Sequence, residues 1–565
     1  MKQIIKELRD RKVIKIAIVY VIGSWLLMQV ADVMFPALGL PDWTITLVVA
    51  LLIIGFPVAL ILAWAYEATP EGIRRDPGKR SNKTAWSAAA LLLGSGAVIW
   101  WWSFSDRSGI DDNKTVAVLP FADLSPGGDQ AYFSDGIHEE IIRRLSAVDD
   151  LHVVSRTSVL RYRNPQQSVT KIAEQLSADA ILEGSVRHED DRIRVTAQLI
   201  DGRTDKHIWA QNYDRELTVS NIIAIQSDIA EQISQALEAE LTDVERSKIA
   251  TLPTSDVDAY NLYLLGRYHT FRQTEENLEK AVEFLEQAVE RDPDFAAAYV
   301  NLAYAYSFLG TSYGSLAPEI AYAKARAAAQ RALQLDPDLD GAHGVLGDIL
   351  AWYDWDWPAA EAEFKTVLEL NPDNVLSYSL FLSTQGRHDE AIALIERSIE
   401  RQPKDGYIHI NAAWRFYNAR LYERAIEEAL LSDGHPDMNS VLGWVALAQG
   451  RNDEAMAYFE ADLERFGRKP NVISNLAIGH SRLRQTEQAN ELLAELLERA
   501  EQGYFSPVTI ADVYFDLGDA DEGFAWLQRG FDAQTRELMF LKVNHSYDNH
   551  RDDPRYRDLV ERLGL

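Results

Sequence analysis

The sequence predicts a multidomain chain: three transmembrane helices, a small mixed-sheet α/β domain, and an all-α solenoid of helical repeats. Three observations predict it. Near the N-terminus lie three apolar stretches of about twenty residues each, the length of a membrane-crossing helix. An alternation of strand and helix patterns follows, and from there to the C-terminus a helical signature recurs at a nearly constant interval. A chain of 565 residues, 47% of them hydrophobic, has room for more than one core. The net charge is −30, yet the first 84 residues hold eleven Lys/Arg against seven Asp/Glu, so residues 85–565 carry 45 basic against 79 acidic side chains, a net of −34. An acidic body with no basic stripe repels phosphate backbones, which argues against nucleic acid as a partner. Without cysteine there is no disulfide framework, thiolate metal site or cysteine nucleophile.

Residues 1–110 read as the membrane module, with spans at residues 16–35, 44–65 and 85–104. The first is too long for a signal peptide and lacks a small-x-small cleavage site; "FPALGLPDW" leads straight into the second. Trp43, Trp64, Trp86 and Trp100 to Trp102 fall at the expected interfaces. Lys2, Lys6, Arg9, Arg11, Lys12 and Lys15 precede span one, and Arg74, Arg75, Lys79, Arg80 and Lys83 separate spans two and three. Cations are retained in the cytoplasm, so the N-terminus is expected there and everything from about Ser105 onward in the periplasm of a bacterial inner membrane. Gln29 and Asp32 share a helix face in span one, either as a polar contact to a membrane partner or as groups reaching the interface. The start "ELRDR", the stretch Trp25 to Asp32, "LGLPDW", "GFP" and "YEATPEGI" resemble the N-terminal module of bacterial TolB-like, tetratricopeptide-repeat membrane proteins over residues 7–75. Some relatives of that architecture carry a winged-helix or nucleotide-cyclase domain ahead of their membrane helices. Only about fifteen residues stand there in this chain, so the resemblance implies neither activity.

Residues 111–250 read as a mixed-sheet α/β domain. "TVAVLPF" is a strand, "ADLSPGGDQ" a turn and "FSDGIHEEIIRRLSAV" a helix; "LHVVSR" and "SVTKIAEQLSA" repeat the alternation before three strands with turns at "HEDD" and "DGRTD". A helix at about Val219 to Ala239 closes the unit. Leu119 to Phe121, Phe133 to Ile141 and Leu182 to Arg215 resemble the TolB-like N-terminal domain, which implies the fold and no defined catalytic residue. Gly127 and Gly128 are followed by Asp129 and Gln130 rather than the Lys-Ser/Thr pair of a phosphate loop, so a plain turn is expected. His138, Glu139 and Glu140 lack a second histidine four residues on and read as a solvated helix face. Trp209 and Tyr213 read as core residues before they read as a partner-binding surface.

Residues 255–540 read as a repeat array. Ala281, Ala325, Ala360, Ala391, Ala425, Ala455, Ala489 and Gly523 each head a second-helix pattern, at intervals of 44, 35, 31, 34, 30, 34 and 34 residues. These centre on the tetratricopeptide period, predicting about eight repeats. Pro293, Pro337, Pro372, Pro403, Pro436 and Pro470 keep the same phase and end second helices; Leu265-Gly266, Leu302-Ala303, Leu346-Gly347, Leu442-Gly443 and Leu476-Ala477 mark first helices. The 44-residue interval predicts a lengthened connection at "GTSYGSLAPE", and the 31-residue interval a shortened first helix in "NVLSYSLFLSTQG". Residues 541–565 fall outside the period and read as a capping segment. His545 and His550 do not share a helical face and read as structural rather than metal-binding.

The expected function is a membrane-anchored, periplasm-facing scaffold, not an enzyme, that binds a protein or peptide in the groove of its repeats. No catalytic, cofactor-binding or metal-ligating residue is assigned, and no cofactor is expected. One rival is an enzyme or ligand site in a pocket around Asp123, Asp135 and His138. Another is a receptor that couples ligand binding by the α/β domain to a membrane partner.

Overall fold

The computed structural model describes residues 114–565 except residues 127–129, 149, 164–165, 190, 240, 273, 312–315, 433 and 503–505; before residue 114 it describes only Tyr20, Gly23, Ser24, Leu27, Leu52 and two short strands. The chain divides into two units, Met1–Asp112 and Asn113–Leu565. In the first, β1 (Tyr66–Thr69) and β2 (Gly72–Arg75) pair antiparallel, Tyr66 opposite Arg75 and Thr69 opposite Gly72.

The predicted fold class is corrected in its membrane part. Among the described residues no helix is long and apolar enough to cross a membrane. The longest, Val219–Ala236 and Pro318–Leu335, have 18 residues each and carry charged side chains, Asp228 and Glu231 in one and Lys324, Arg326 and Arg331 in the other. The stretches 16–35, 44–65 and 85–104 lie outside the described residues apart from Tyr20, Gly23, Ser24, Leu27 and Leu52, as do Gln29 and Asp32. The inner-membrane localisation, with a cytoplasmic N-terminus and periplasmic domains, falls with the spans it was read from. The bilayer and a membrane-protein partner lose their support in the same way.

The second unit opens with a mixed sheet. Strands β3 (Lys114–Val118), β4 (Ala122–Asp123), β5 (Leu151–Val153), β6 (Ala180–Glu189), β7 (Arg192–Asp201) and β8 (His207–Glu216) stand in the order β5-β3-β6-β7-β8. β3 is parallel to both β5 and β6, and the last two pairings are antiparallel. β4 continues the line of β3 along β6 after the break at Leu119-Pro120-Phe121, because Pro120 has no N–H to give the ladder. Alternation sorts the faces. Val116, Val118, Leu182 and Val195 point to helices α1 (Ala131–Leu145) and α4 (Val219–Ala236). Ala117, Leu119 and Ile181 point to α2 (Arg156–Val159) and α3 (Val169–Leu176).

A short helix, α5 (Asp243–Ala250), leads into paired helices. The first four hairpins are Val257–Thr270 with Glu275–Arg291, Ala296–Leu309 with Pro318–Leu335, Asp340–Ile349 with Trp357–Leu370, and Leu376–Thr384 with His388–Arg401. The next four are Gly406–Asn418 with Tyr422–Leu431, Met438–Ala448 with Asn452–Phe466, Pro470–Arg482 with Thr486–Gln502, and Pro507–Leu517 with Ala520–Asp532. The nine-residue helix Leu376–Thr384 accounts for the short interval, and the connection Leu309 to Pro318 for the long one. The phase alanines from Ala281 to Ala489 are all buried where the two helices of a hairpin touch. Glycines on the first helices serve the same contact: a Cβ on Gly266, Gly347 or Gly443 would lie 2.4 Å from Leu285, 2.7 Å from Phe364 or 2.3 Å from Phe459.

The α/β domain and the array are not separate bodies within this unit. One apolar cluster runs from Val116 through Ile141, Tyr260 and Leu264 to Ala391 in the fourth hairpin. Gly136 on α1 makes room for Leu264 of the first hairpin, whose Cδ2 would lie 2.6 Å from a Cβ there. After Asp532, two 3₁₀ turns, Arg536–Phe540 and His545–His550, and the helix Pro554–Leu563 cover the eighth hairpin with Leu538, Tyr547, Tyr556 and Leu559.

Candidate functional site

The inner faces of the first helices are tied from repeat to repeat by polar rungs. Ser377 donates to Asp348 Oδ2 at 3.3 Å, Arg415 Nε to Ser379 Oγ at 3.3 Å, and Asn418 Nδ2 to Ser383 Oγ at 3.1 Å. Farther along, Ser474 donates to the Thr509 carbonyl and Ser481 to the Asp516 carbonyl. Each rung joins a first helix to its neighbour one repeat away, so polar side chains set the stagger that apolar packing alone leaves loose.

Two rungs carry buried ionisable groups. Asp348 is 6% exposed, its Oδ1 makes no hydrogen bond, and burial pushes its carboxyl up to about 7. Arg415 is 3% exposed; its guanidinium reaches the Leu376 and Asn411 carbonyls and no carboxylate, and burial lowers it to about 10, still charged at neutral pH. Burial of Arg415 without a counter-charge costs free energy. Sequence reasoning missed both. The signal was there, since each interrupts an apolar first helix, in "GVLGDILAW" and "NAAWRFYNA".

A cavity of about 310 Å³ lies where the α/β domain meets the array, lined by Arg156 and Thr157 of α2, Phe271 after the first helix of the first hairpin, and Arg401, Asp405 and Tyr407 of the fourth and fifth hairpins. Thr157 donates to Asp405, 2.9 and 3.0 Å from its two oxygens, while Asp405 caps the helix Gly406–Asn418 by accepting from the Tyr407 and Ile408 amides.

The residues singled out from sequence take other places. His138, Glu139 and Glu140 are not a solvated face: His138 and Glu140 are buried, and half-buried Glu139 meets the first hairpin. His138 Nε2 donates to the Val118 carbonyl at 2.9 Å, and burial lowers its pKa to about 4, so it is neutral. Glu139 pairs with Arg267 of the first hairpin, and Glu140 with Arg143 and Arg144. Asp123 accepts from the Ser125 and Gln130 amides, and Asp135 pairs with Arg163 at 2.7 Å. Asp123, Asp135 and His138 thus each serve a different partner and do not converge on the cavity. Gly127, Gly128 and Asp129 lie outside the described residues. Trp209 packs against the core and Tyr213 is buried within it, its hydroxyl donating to Asp228 at 2.6 Å. His545 stacks on Tyr417 at 4.3 Å between ring centres and His550 lies against Phe515 at 4.6 Å. Among the described residues no group of three His, Cys, Asp or Glu is arranged to hold a metal.

The repeat region is a tetratricopeptide-repeat array: family models for that repeat match residues 262–295 and, in overlapping pairs, 349–406, 381–438 and 410–467. The α/β domain, residues 112–255, matches the model of the HilA/YgeH-like transcriptional regulator, second domain. "Putative adenylate cyclase 3" of Rhizobium meliloti is 33% identical over 268 residues, 45% of each chain. Transcriptional regulator HilA of Salmonella typhimurium is 24% identical over 323 residues, 56% of this chain and 55% of that one. The chain therefore spans about half the length of these relatives or slightly more. A tetratricopeptide repeat protein from Parabacteroides merdae, of known structure, is 18% identical and covers 46% of this chain and 98% of its own, with a TM-score of 0.33. The matches show the repeats; they do not show the TolB-like domain or the membrane family that the sequence resembled.

Proposed function

We propose that the chain is a protein-binding scaffold that holds a protein or peptide partner against the first helices of its repeats. The observation that carries this is the inner face itself, a succession of first helices whose buried Asp348 and Arg415 lack charged hydrogen-bond partners. A segment with polar backbone groups and charged side chains answers that face. No catalytic role is assigned to any residue. In quantitative affinity purification of the full chain, Arg415→Ala and Asp348→Ala are expected to release the same partners, each by about tenfold, while exposed Arg401→Ala retains them. Retention by both inner-face variants would sink the reading.

A second reading takes its support from the junction. The two relatives are named for different outputs, a cyclase and a transcriptional regulator, and the part shared with them is proposed to be a regulatory module rather than the output. The Glu139–Arg267 pair and the shared apolar core couple the α/β domain to the first hairpin. A ligand in the cavity would then alter hydrogen exchange in Val257–Thr270; unchanged exchange with a cavity ligand bound would refute the coupling.

A further inference from the structure

Beyond the eighth hairpin the chain does not end as a simple cover; it returns to hairpins three, four and five, across as many as 206 residues of sequence. Gln534 Nε2 donates to the Tyr353 carbonyl at 3.1 Å and Trp357 Nε1 to the Leu563 carbonyl at 2.7 Å, while Phe531, in the last turn of the eighth hairpin, packs on Trp355. Lys542 lies along Gly386, His545 stacks on Tyr417, and Arg420 pairs with Asp548 at 2.7 Å. Trp352, Tyr353, Trp355, Gly386 and Arg420 all sit at or near the turns between first and second helices, so the segment runs along one edge of three consecutive repeats.

From that edge it reaches inward. Arg536 stands over Trp352 at 4.2 Å and is the basic group whose charge acts on Asp348. Met539 is fully buried in the same apolar cluster as Trp352, Phe381 and Leu382, with Phe540 packed against it. The fit is incomplete in its polar part: Arg536 Nε and Asp348 Oδ1 are both buried and neither makes a hydrogen bond. The apolar anchors are satisfied while the charged ones are only near each other. A segment with the same anchors and a better placed cation would hold this surface more tightly.

We propose that residues 534–550 are an internal ligand of hairpins three to five, standing in for a partner segment that presents a basic side chain followed at three and four positions by apolar ones. Arg536, Met539 and Phe540 are the template for that spacing. The inference deepens the reading of the repeats as a protein-binding surface and rests on it. It also fits the charge, because a body of net −34 attracts basic segments.

The test uses the full chain and a fluorescein-labelled peptide of residues 533–550. Hydrogen exchange of the unaltered chain is expected to show residues 536–550 opening while Pro507–Leu517 and Ala520–Asp532 stay protected; exchange of all three only on global unfolding overturns the proposal. His545→Ala with Asp548→Ala loosens the segment and leaves its seat intact, so the peptide is expected to bind this variant at least about tenfold tighter than the unaltered chain. An Arg536→Glu peptide should lose that gain. Equal binding to both chains, or none, overturns the proposal whether or not the variant is fully stable, since the exchange measurement needs no variant. If the peptide binds the loosened chain as expected but does not compete with captured partners, the internal ligand stands and the groove reading fails.

Discussion

At the scale of single residues, close approach and buried charge decide what each position tolerates. Gly443 faces Phe459 so closely that a Cβ would lie 2.3 Å from its ring. A phenyl packed between two helices cannot swing aside, so Gly443→Ala should destabilise by about 1–3 kcal/mol, read as a lower urea midpoint at constant slope. Asp348 gives a prediction with a sign. Burial raises its carboxyl from 3.8 to about 7, so the folded chain holds the proton more tightly than the unfolded one. Its contribution to stability is present below about pH 4 and is lost as pH rises to 7. Asp348→Asn can still accept from Ser377 and carries no charge, so it should gain on the wild type through that window, by a few kcal/mol at most, and level off above it. Thermal unfolding of both at several pH values checks this; a gain confined to pH below 4 would contradict the burial argument.

At the scale of elements, helix α1 shows which features the sequence carried legibly and which it did not. Its presence and apolar periodicity were readable, because Phe133, Ile137, Ile141 and Leu145 recur at helical spacing. The surroundings of His138 and Glu139 were not, because they come from tertiary contact, His138 bonding the Val118 carbonyl of the sheet and Glu139 pairing with Arg267 over a hundred positions away. The hairpins were legible for the opposite reason, since each is a local pattern repeated until its phase is unmistakable. The return of the C-terminal segment left no trace in the period, as Trp357 meets Leu563 and Tyr417 meets His545 through tertiary contact alone. The junction of α1 with the first hairpin yields a test. Arg267→Ala leaves half-buried Glu139 with only Arg156, at 3.8 Å, as a cation and should cost about 1–3 kcal/mol. Arg267→Met together with Glu139→Gln removes both charges and should recover most of that loss in equilibrium unfolding. Failure of the double variant to recover would mean the arginine acts by packing rather than by charge.

At the scale of the whole second unit, the apolar clusters define how it comes apart. One core joins the sheet, α1, α4 and hairpins one to four, with Met539 from the C-terminal segment. Separate clusters serve the fourth to sixth hairpins, the sixth to eighth, and the eighth with the C-terminal helix. A repeat array with only nearest-neighbour contacts would fray from its free end in steps. Here the C-terminal segment ties the eighth hairpin to the third and fifth through Trp357, Tyr417 and Arg420, which opposes stepwise fraying. Native-state hydrogen exchange should therefore show the strands β3 and β6 and the helices Ala131–Leu145 and Val257–Thr270 opening together, with one common free energy. Trp357→Ala deletes the hydrogen bond to Leu563 and part of the aromatic seat, and should convert the eighth hairpin into a unit that opens earlier than the sixth, leaving the common opening of the sheet and first hairpin unmoved. If the variant instead lowers protection uniformly, the clusters are one cooperative core and the C-terminal contacts are a structural part of it, not a seam along which it opens.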